Sequence, residues 1–438
     1  MRLRVVLTSI SIVIASAATA EDWTQFRGAN HNYLAEADAL PTDWSNGNNI
    51  RWKTAVPGEG WASPVVSGEK VFIATAIQEV EGKDTAPPPE MRSPRIGADS
   101  VYRWELHCLD LSTGETLWHR VALRANPRVR THHANTYASE TPVTDGTHVY
   151  VYFGMMGLYC YDFDGELVWS KDLGGYKMDG DWGTGSSPIL YNDTLYLQID
   201  NEERSFLVAL NPTNGEERWR VERDEVSSWS TPMIWRNKVR TELITCSKFV
   251  RSYDPATGEQ LWSMNLEGGR SSASATGNMD ALFFGNERRS DGGGDLFAVR
   301  AGASGDISRV GEGAPSDSLL WQLHRLGPDF ASPLLYDGSL YIFGRNRGSI
   351  GVFDPATGDR RDGIERLPGA RSFWSSPWGY DGNVYCIDEG GTAFVVASGP
   401  DPELVATIPL NEEVRASPAI IDGALILRSK QHVYRIGN

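Results

Sequence analysis

Eight times along the chain a small or polar residue, then Ser or Thr, then Pro opens a short β-rich run. Nothing else in the sequence confines the fold as tightly. The copies end at Pro64 (Trp61-Ala62-Ser63-Pro64), Pro142, Pro188, Pro232, Pro333, Pro377 and Pro418, with a worn copy, Ser272-Ala273-Ser274-Ala275, in which Ala275 replaces the proline. Seven residues after each of these positions an aliphatic residue opens a second run: Val71, Val149, Leu195, Val239, Leu282, Leu340, Val384 and Leu425. A period of roughly 40 to 50 residues made of short strands signals a radial array.

A second signal completes the unit. Asp or Asn, a Gly and then a Trp recur as Asp110…Gly114…Trp118, Asp162…Gly165…Trp169, Asn211…Gly215…Trp219 and Asp254…Gly258…Trp262; Asp354…Gly358 lacks the Trp, and Trp321 lacks a clear turn. The acid or amide opens a turn through its side chain and Gly supplies positive φ. The Trp falls on the next strand, where it can pack between neighbouring sheets. Each unit therefore reads as four antiparallel strands. Trp52 stands 12 residues before Pro64, the spacing of an outer-strand Trp, but has no preceding unit, while the last repeat, Pro418 to Ile436, lacks its Trp strand. The N-terminal strand completes that last unit and closes the ring. The expectation is an all-β, eight-bladed β-propeller of four-stranded antiparallel blades over residues 50–438, with seven blades if the unit around Ala275 is not one.

Residues 1–20 read as a signal peptide: Arg2 and Arg4, an apolar stretch from Val5 to Ile14, and Ala18-Thr19-Ala20 as the cleavage site. Residues 21–49 form an N-terminal extension. No later segment reaches membrane length. The formal charge of −16 becomes −18 without Arg2 and Arg4 (39 basic against 57 acidic), which opposes binding to nucleic acid or anionic lipid. An exported protein, periplasmic or secreted, without a membrane span and monomeric, is expected. Cys108, Cys160, Cys246 and Cys386 each lie in a strand-like run. Export permits disulfides, but small buried strand residues are the preferred reading.

The strings Leu109–Trp118 (LDLSTGETLW) and Tyr253–Trp262 (YDPATGEQLW) resemble the tryptophan-docking repeat of quinoprotein dehydrogenases. Over about residues 50–436 the chain is similar to the PQQ-like β-propeller superfamily, which also holds the propeller lipoprotein of the barrel-assembly machinery. The opening Asp22–Asn30 (DWTQFRGAN) resembles exported propellers described as PQQ-binding-like. The resemblance brings PQQ and calcium into consideration as cofactors. However, the neighbouring cysteine pair common in those enzymes is missing, their calcium ligands and catalytic Asp cannot be placed by motif, and the chain is shorter than they are. A propeller is a frame for many activities.

The residues just before the repeated Ser/Thr-Pro should form a ring at one channel mouth: Trp61, Ser139, Gly185, Trp229, Ser272, Phe330, Trp374 and Arg415, with Arg270, Arg371, Trp182 and Tyr137 nearby. Such a funnel suits a flat anionic or sugar-like ligand; the competing reading is that the aromatics plug and stiffen the ring. His132-His133-Ala134-Asn135 precedes the second mouth position. Adjacent strand histidines point to opposite faces and cannot chelate one ion together, so this is a polar loop unless His133 and Asn135 belong to a site with Asp200, Arg223 and Trp229. Asp291-Gly-Gly-Gly-Asp295 reads as a hairpin turn rather than a cation or phosphate loop. Three functions follow: a binding or scaffold propeller for a protein partner or glycan of the cell envelope; as the alternative, a PQQ-dependent dehydrogenase; and a sugar-acting enzyme using Asp179, Asp181 and Asp200.

Overall fold

The computed structural model describes residues 22–29, 31–32, 40–79, 95–96, 100–267, 269–287, 294–308, 316–344, 348–421 and 423–437. The signal-peptide reading, most of the loop between Gln78 and Asp99 and residues 291–293 lie outside them.

The chain builds eight antiparallel blades. Blade one runs Val65–Ser67, Lys70–Gln78, Tyr102–Asp110, Thr116–Ala125, and the others follow in order of the repeated motif. Blade eight takes Ala419–Ile421, Ala424–Arg428 and His432–Gly437 from the end of the chain and Ile50–Ala55 from its beginning. The leading strand pairs antiparallel with the last one, Trp52 opposite Arg435 and Thr54 opposite Val433. The wheel is thus closed as the spacing of Trp52 implied. The worn unit forms a full blade from Thr276–Gly277, Ala281–Gly285, Leu296–Arg300 and Leu319–Leu323. Blade six has three strands, and its outer edge is finished by isolated bridges from Arg360 to Phe353 and Arg366 to Ser349.

The first strand of each blade lies innermost. Those of blade one touch those of blades two and eight. Middle strands face a neighbouring blade on both sides and are buried throughout, as in Ser205–Leu210; outer strands alternate, as in Thr116–Ala125. The aliphatic residue seven after each proline is the second residue of the second strand in seven blades. Val239 is the exception: it is 56% exposed in a hairpin. There the first strand, Met233–Arg236, runs longer and Asn237 Oδ1 accepts from the amides of Val239 and Arg240, so the second strand starts at Thr241.

The tryptophan signal docks blade to blade. Trp52, Trp118, Trp169, Trp219 and Trp321 each donate an indole N–H to a turn carbonyl of the next blade, those of Leu111, Phe163, Pro212, Pro255 and Pro355, at 2.8–3.2 Å. The ring then covers that turn's glycine: a Cβ on Gly114 would meet Trp52 at 2.5 Å and one on Gly258 would meet Trp219 at 2.7 Å. Positive φ (73° and 76°) is therefore only half the reason these positions are Gly. All four cysteines are buried and unpaired by disulfide, and burial pushes the thiols of Cys108, Cys160 and Cys246 up to about 12. Among the described residues no helix is long and apolar enough to cross a membrane.

Candidate functional site: a blind cup on the propeller axis

The Ser or Thr of each motif does more than open a strand. In seven of the eight, its hydroxyl oxygen accepts the backbone N–H of the same position in the preceding blade: Ser63 donates to Thr141, Thr141 to Ser187, Ser187 to Thr231, Thr231 to Ser274, Ser274 to Ser332, Ser332 to Ser376 and Ser376 to Ser417, at 2.9–3.2 Å. These hydroxyls form a collar around the axis. The proline that follows has no N–H left to satisfy, so the chain can turn outward into its strand without a lost donor.

Below the collar, residues 23–29 and 31–32 lie across the channel. Trp23 exchanges backbone bonds with Val66 of blade one, Thr24 O accepts from Thr144 of blade two, and Gln25 Oε1 accepts from Leu190 of blade three. Arg27, 2% exposed, donates to the carbonyls of Ala275 and Pro333, each one residue past the collar in blades five and six. Asn32 bonds both backbone groups of Leu335. His31 is held neutral, lowered to about 3 by burial first and then by Arg27 and Arg236. Phe26 faces upward as the floor of the cavity. The channel is thereby a cup of about 170 Å³, walled by the eight collar residues and rimmed by Trp61, Trp182, Trp229, Phe330, Trp374 and Arg415.

Much of the rim is packed on itself. Phe330 and Trp374 stack at 3.8 Å and 6°, and the Arg415 guanidinium lies 4.6 Å from the Trp374 ring centre and 5.2 Å from that of Trp61. Arg415 also pairs with Glu413 at 3.0 Å and reaches the Ala134 carbonyl. Across the cup, His132 stacks on Trp182 at 3.9 Å and Trp229 donates to Gly183 O at 2.7 Å. Asn135 Nδ2 ties the carbonyls of Trp182 and Thr184 at 2.8 and 2.9 Å, and its Oδ1 accepts from Ser139 at 2.5 Å. The indole N–H of Trp61 is buried without a hydrogen-bond partner among the described residues.

Of the residues singled out from sequence, Trp61, Asn135, Trp182, Trp229, Trp374 and Arg415 come together around the cup. His133 lies against His132 behind this wall, and Arg270 pairs with Asp179 and Glu202 away from the lining. Asp200 and Arg223 are elsewhere. Their side chains are fully buried between blades three and four, joined at 3.1 Å, with Gln198 on Asp200 at 2.8 Å and Arg251 on Glu225 at 2.7 Å. Burial pushes the Asp200 carboxyl up and Arg223 opposes it. They sit near strand ends, but their side chains turn into the seam rather than toward the axis. Sequence reasoning missed Phe26 and Arg27, whose segment lies outside the repeat, and treated the collar hydroxyls as strand openers only.

A calcium–quinone pair does not suit this cup. Its lining carries no carboxylate, its one guanidinium is already paired, and hard cations need anionic oxygen ligands. The volume also falls below the roughly 300–1,000 Å³ of sites that enclose drug-sized molecules.

Residues 103–242 match the family model described as outer membrane protein assembly factor BamB. No curated protein matches the chain. Among solved structures, a europium-containing methanol dehydrogenase aligns at 12% identity and TM-score 0.50, covering 86% of this chain and 89% of that one. The quinohemoprotein alcohol dehydrogenase ADHIIG of Pseudomonas putida HK5 aligns at 12% identity and TM-score 0.54, covering 93% and 80%. Sqt1 of Saccharomyces cerevisiae aligns at 11% identity and TM-score 0.53, covering 92% and 100%. At such identities the likeness is one of fold.

Proposed function

We propose that this chain, a PQQ-like β-propeller, is an exported binding or scaffold protein that engages a protein partner or glycan of the cell envelope at its aromatic channel mouth. The observation that carries this reading is the blind cup: aromatic rings, hydroxyls and a guanidinium around a floor made by the chain's own Trp23–Asn32 segment. Such a lining can hold a protruding ring or side chain, and it offers no acid or base to drive a reaction. The family match over residues 103–242 to an outer-membrane assembly factor supports an envelope role.

The dehydrogenase alternative has nothing in the cup to ligate calcium. The sugar-acting alternative needs two carboxylates facing each other across a bond, whereas Asp200 is committed to Arg223 and Asp179 to Arg270.

The test is capture from envelope fractions, together with binding to an array of envelope glycans, by the parent and by Trp229→Ala/Trp374→Ala. Loss of one specific partner or glycan in the variant is expected. Identical binding by both proteins discards the mouth as the interaction site. Addition of PQQ with calcium should give neither a stoichiometric complex nor dye-linked alcohol oxidation.

A further inference from the structure

The collar hydroxyls are used on one side only. Seven of the eight accept an amide from the preceding blade, yet none of Ser63, Thr141, Ser187, Thr231, Ser274, Ser332, Ser376 and Ser417 donates its own O–H to a protein acceptor among the described residues. All eight are at most 6% exposed, and all eight line the cup. Hydrogens that no protein group among the described residues takes, repeated once per blade around a shared cavity, are open to a single acceptor held on that axis. With seven of the eight oxygens tied sideways to a neighbour, the hydrogens are left to turn toward the shared space.

The charges nearby give that acceptor a sign. The Arg27 guanidinium is fastened one residue beneath the collar on two blades, Arg415 is on the rim above, and no carboxylate lines the space between. Glu413 and Glu389 offset the charge of Arg415 at the rim, so the sign at the collar is set by Arg27 beneath it.

We propose that the collar is a carboxylate-binding site: a carboxylate, or a planar oxyanion like it, sits on the axis and accepts from several hydroxyls, while the body attached to it lies against the faces of Trp61 and Trp229. The inference rests on the mouth being the binding site and names the group it takes. Donors of this kind bind an anion without an ion pair, as hydroxyls and amides do at other oxyanion sites. The carboxylate can belong to a free small acid or to the end of a polypeptide.

The experiment uses the whole mature protein. Benzoate and its neutral analogue benzamide are titrated against tryptophan fluorescence and by calorimetry, and crystals are soaked in bromide to locate an anion by its anomalous signal. Benzoate is expected to bind at least tenfold more tightly than benzamide, with bromide inside the collar. Arg27→Gln should weaken benzoate about tenfold and leave benzamide unchanged; Thr231→Val, which removes a single hydroxyl at nearly constant shape, serves if Arg27→Gln does not fold. A short peptide with a free C-terminus, compared with its amidated form, separates the two sources: loss of binding on amidation supports a chain end, and benzoate binding without peptide binding supports a small acid. Equal affinity for benzoate and benzamide, or a collar holding only water in bromide, overturns the proposal. If Trp229→Ala/Trp374→Ala still abolishes partner capture in that case, the mouth reading survives and only the carboxylate falls.

Discussion

Two concentric rings of inter-blade bonds hold the wheel together, and they are kept to different standards. In the inner ring seven of the eight junctions are made by the same amide-to-hydroxyl bond, at 2.9–3.2 Å, and only the junction of blades eight and one lacks it among the described residues. The outer ring of tryptophan docks is broken. Trp262 bonds Glu242 of its own blade at 2.7 Å, and Trp235 takes its place over Gly277, donating to Asn278 O at 2.7 Å. Blades six and seven have no docking tryptophan. The difference is one of radius. Near the axis the strands converge to a spacing that leaves room for one small hydroxyl and nothing else. Farther out the blades splay, and several side chains can fill the gap.

The contrast can be put under strain in three ways. Trp52→Ala removes a nearly buried indole from the seam that closes the wheel, and a loss of about 3–5 kcal/mol is expected in denaturant unfolding. Ser187→Ala strands the Thr141 amide and should cost about 1–3 kcal/mol, whereas Ser187→Thr should cost under about 1, since Thr already serves at two collar positions. If Ser187→Ala proves the costlier of the two alanine variants, the inner ring carries closure and the outer ring is secondary.

The third test concerns Glu140, next to Thr141 in the inner ring but turned into the seam beside Thr184. Burial pushes its carboxyl from the ordinary 4.5 up to about 7. The folded state therefore holds this proton more tightly than the unfolded chain. Its own contribution to stability is full below about pH 4.5 and is lost as pH rises through about 7, and it is read as the difference between the pH profiles of the parent and of Glu140→Gln. Glu140→Gln should gain on the parent as pH rises between about 4.5 and 7, reaching on the order of 1 kcal/mol at pH 8. A parent–variant difference that does not change with pH removes Glu140 from the account.

The same radial difference explains what could be read from the sequence. The collar tolerates so little change that its Ser/Thr-Pro signal survives in seven of eight blades, and even the worn copy keeps Ser274. That made the blade count and the partner of the Trp52 strand legible. Val239 misled because hairpin length is not fixed by the axis. Asp200 and Arg223 misled because nearness to a strand end does not tell which face of a blade a side chain takes. The rim residues were found by position alone, but the stacking of Phe330, Trp374 and Arg415 on one another depends on distances between blades six, seven and eight that no local string encodes. The floor was invisible for a simpler reason: Trp23–Asn32 occurs once, so no repetition marked it.

Because Ile50–Ala55 pairs with His432–Gly437, the assembly is a clasp whose two halves are the most widely separated strands of the chain. A growing polypeptide can stack blade upon blade early, yet it remains an open crescent with two unpaired borders until its final strand arrives. Such borders are sticky, and only the final pairing covers both at once. Pairing of Ile50–Ala55 is therefore expected to come last, once residues 432–437 are free to fold.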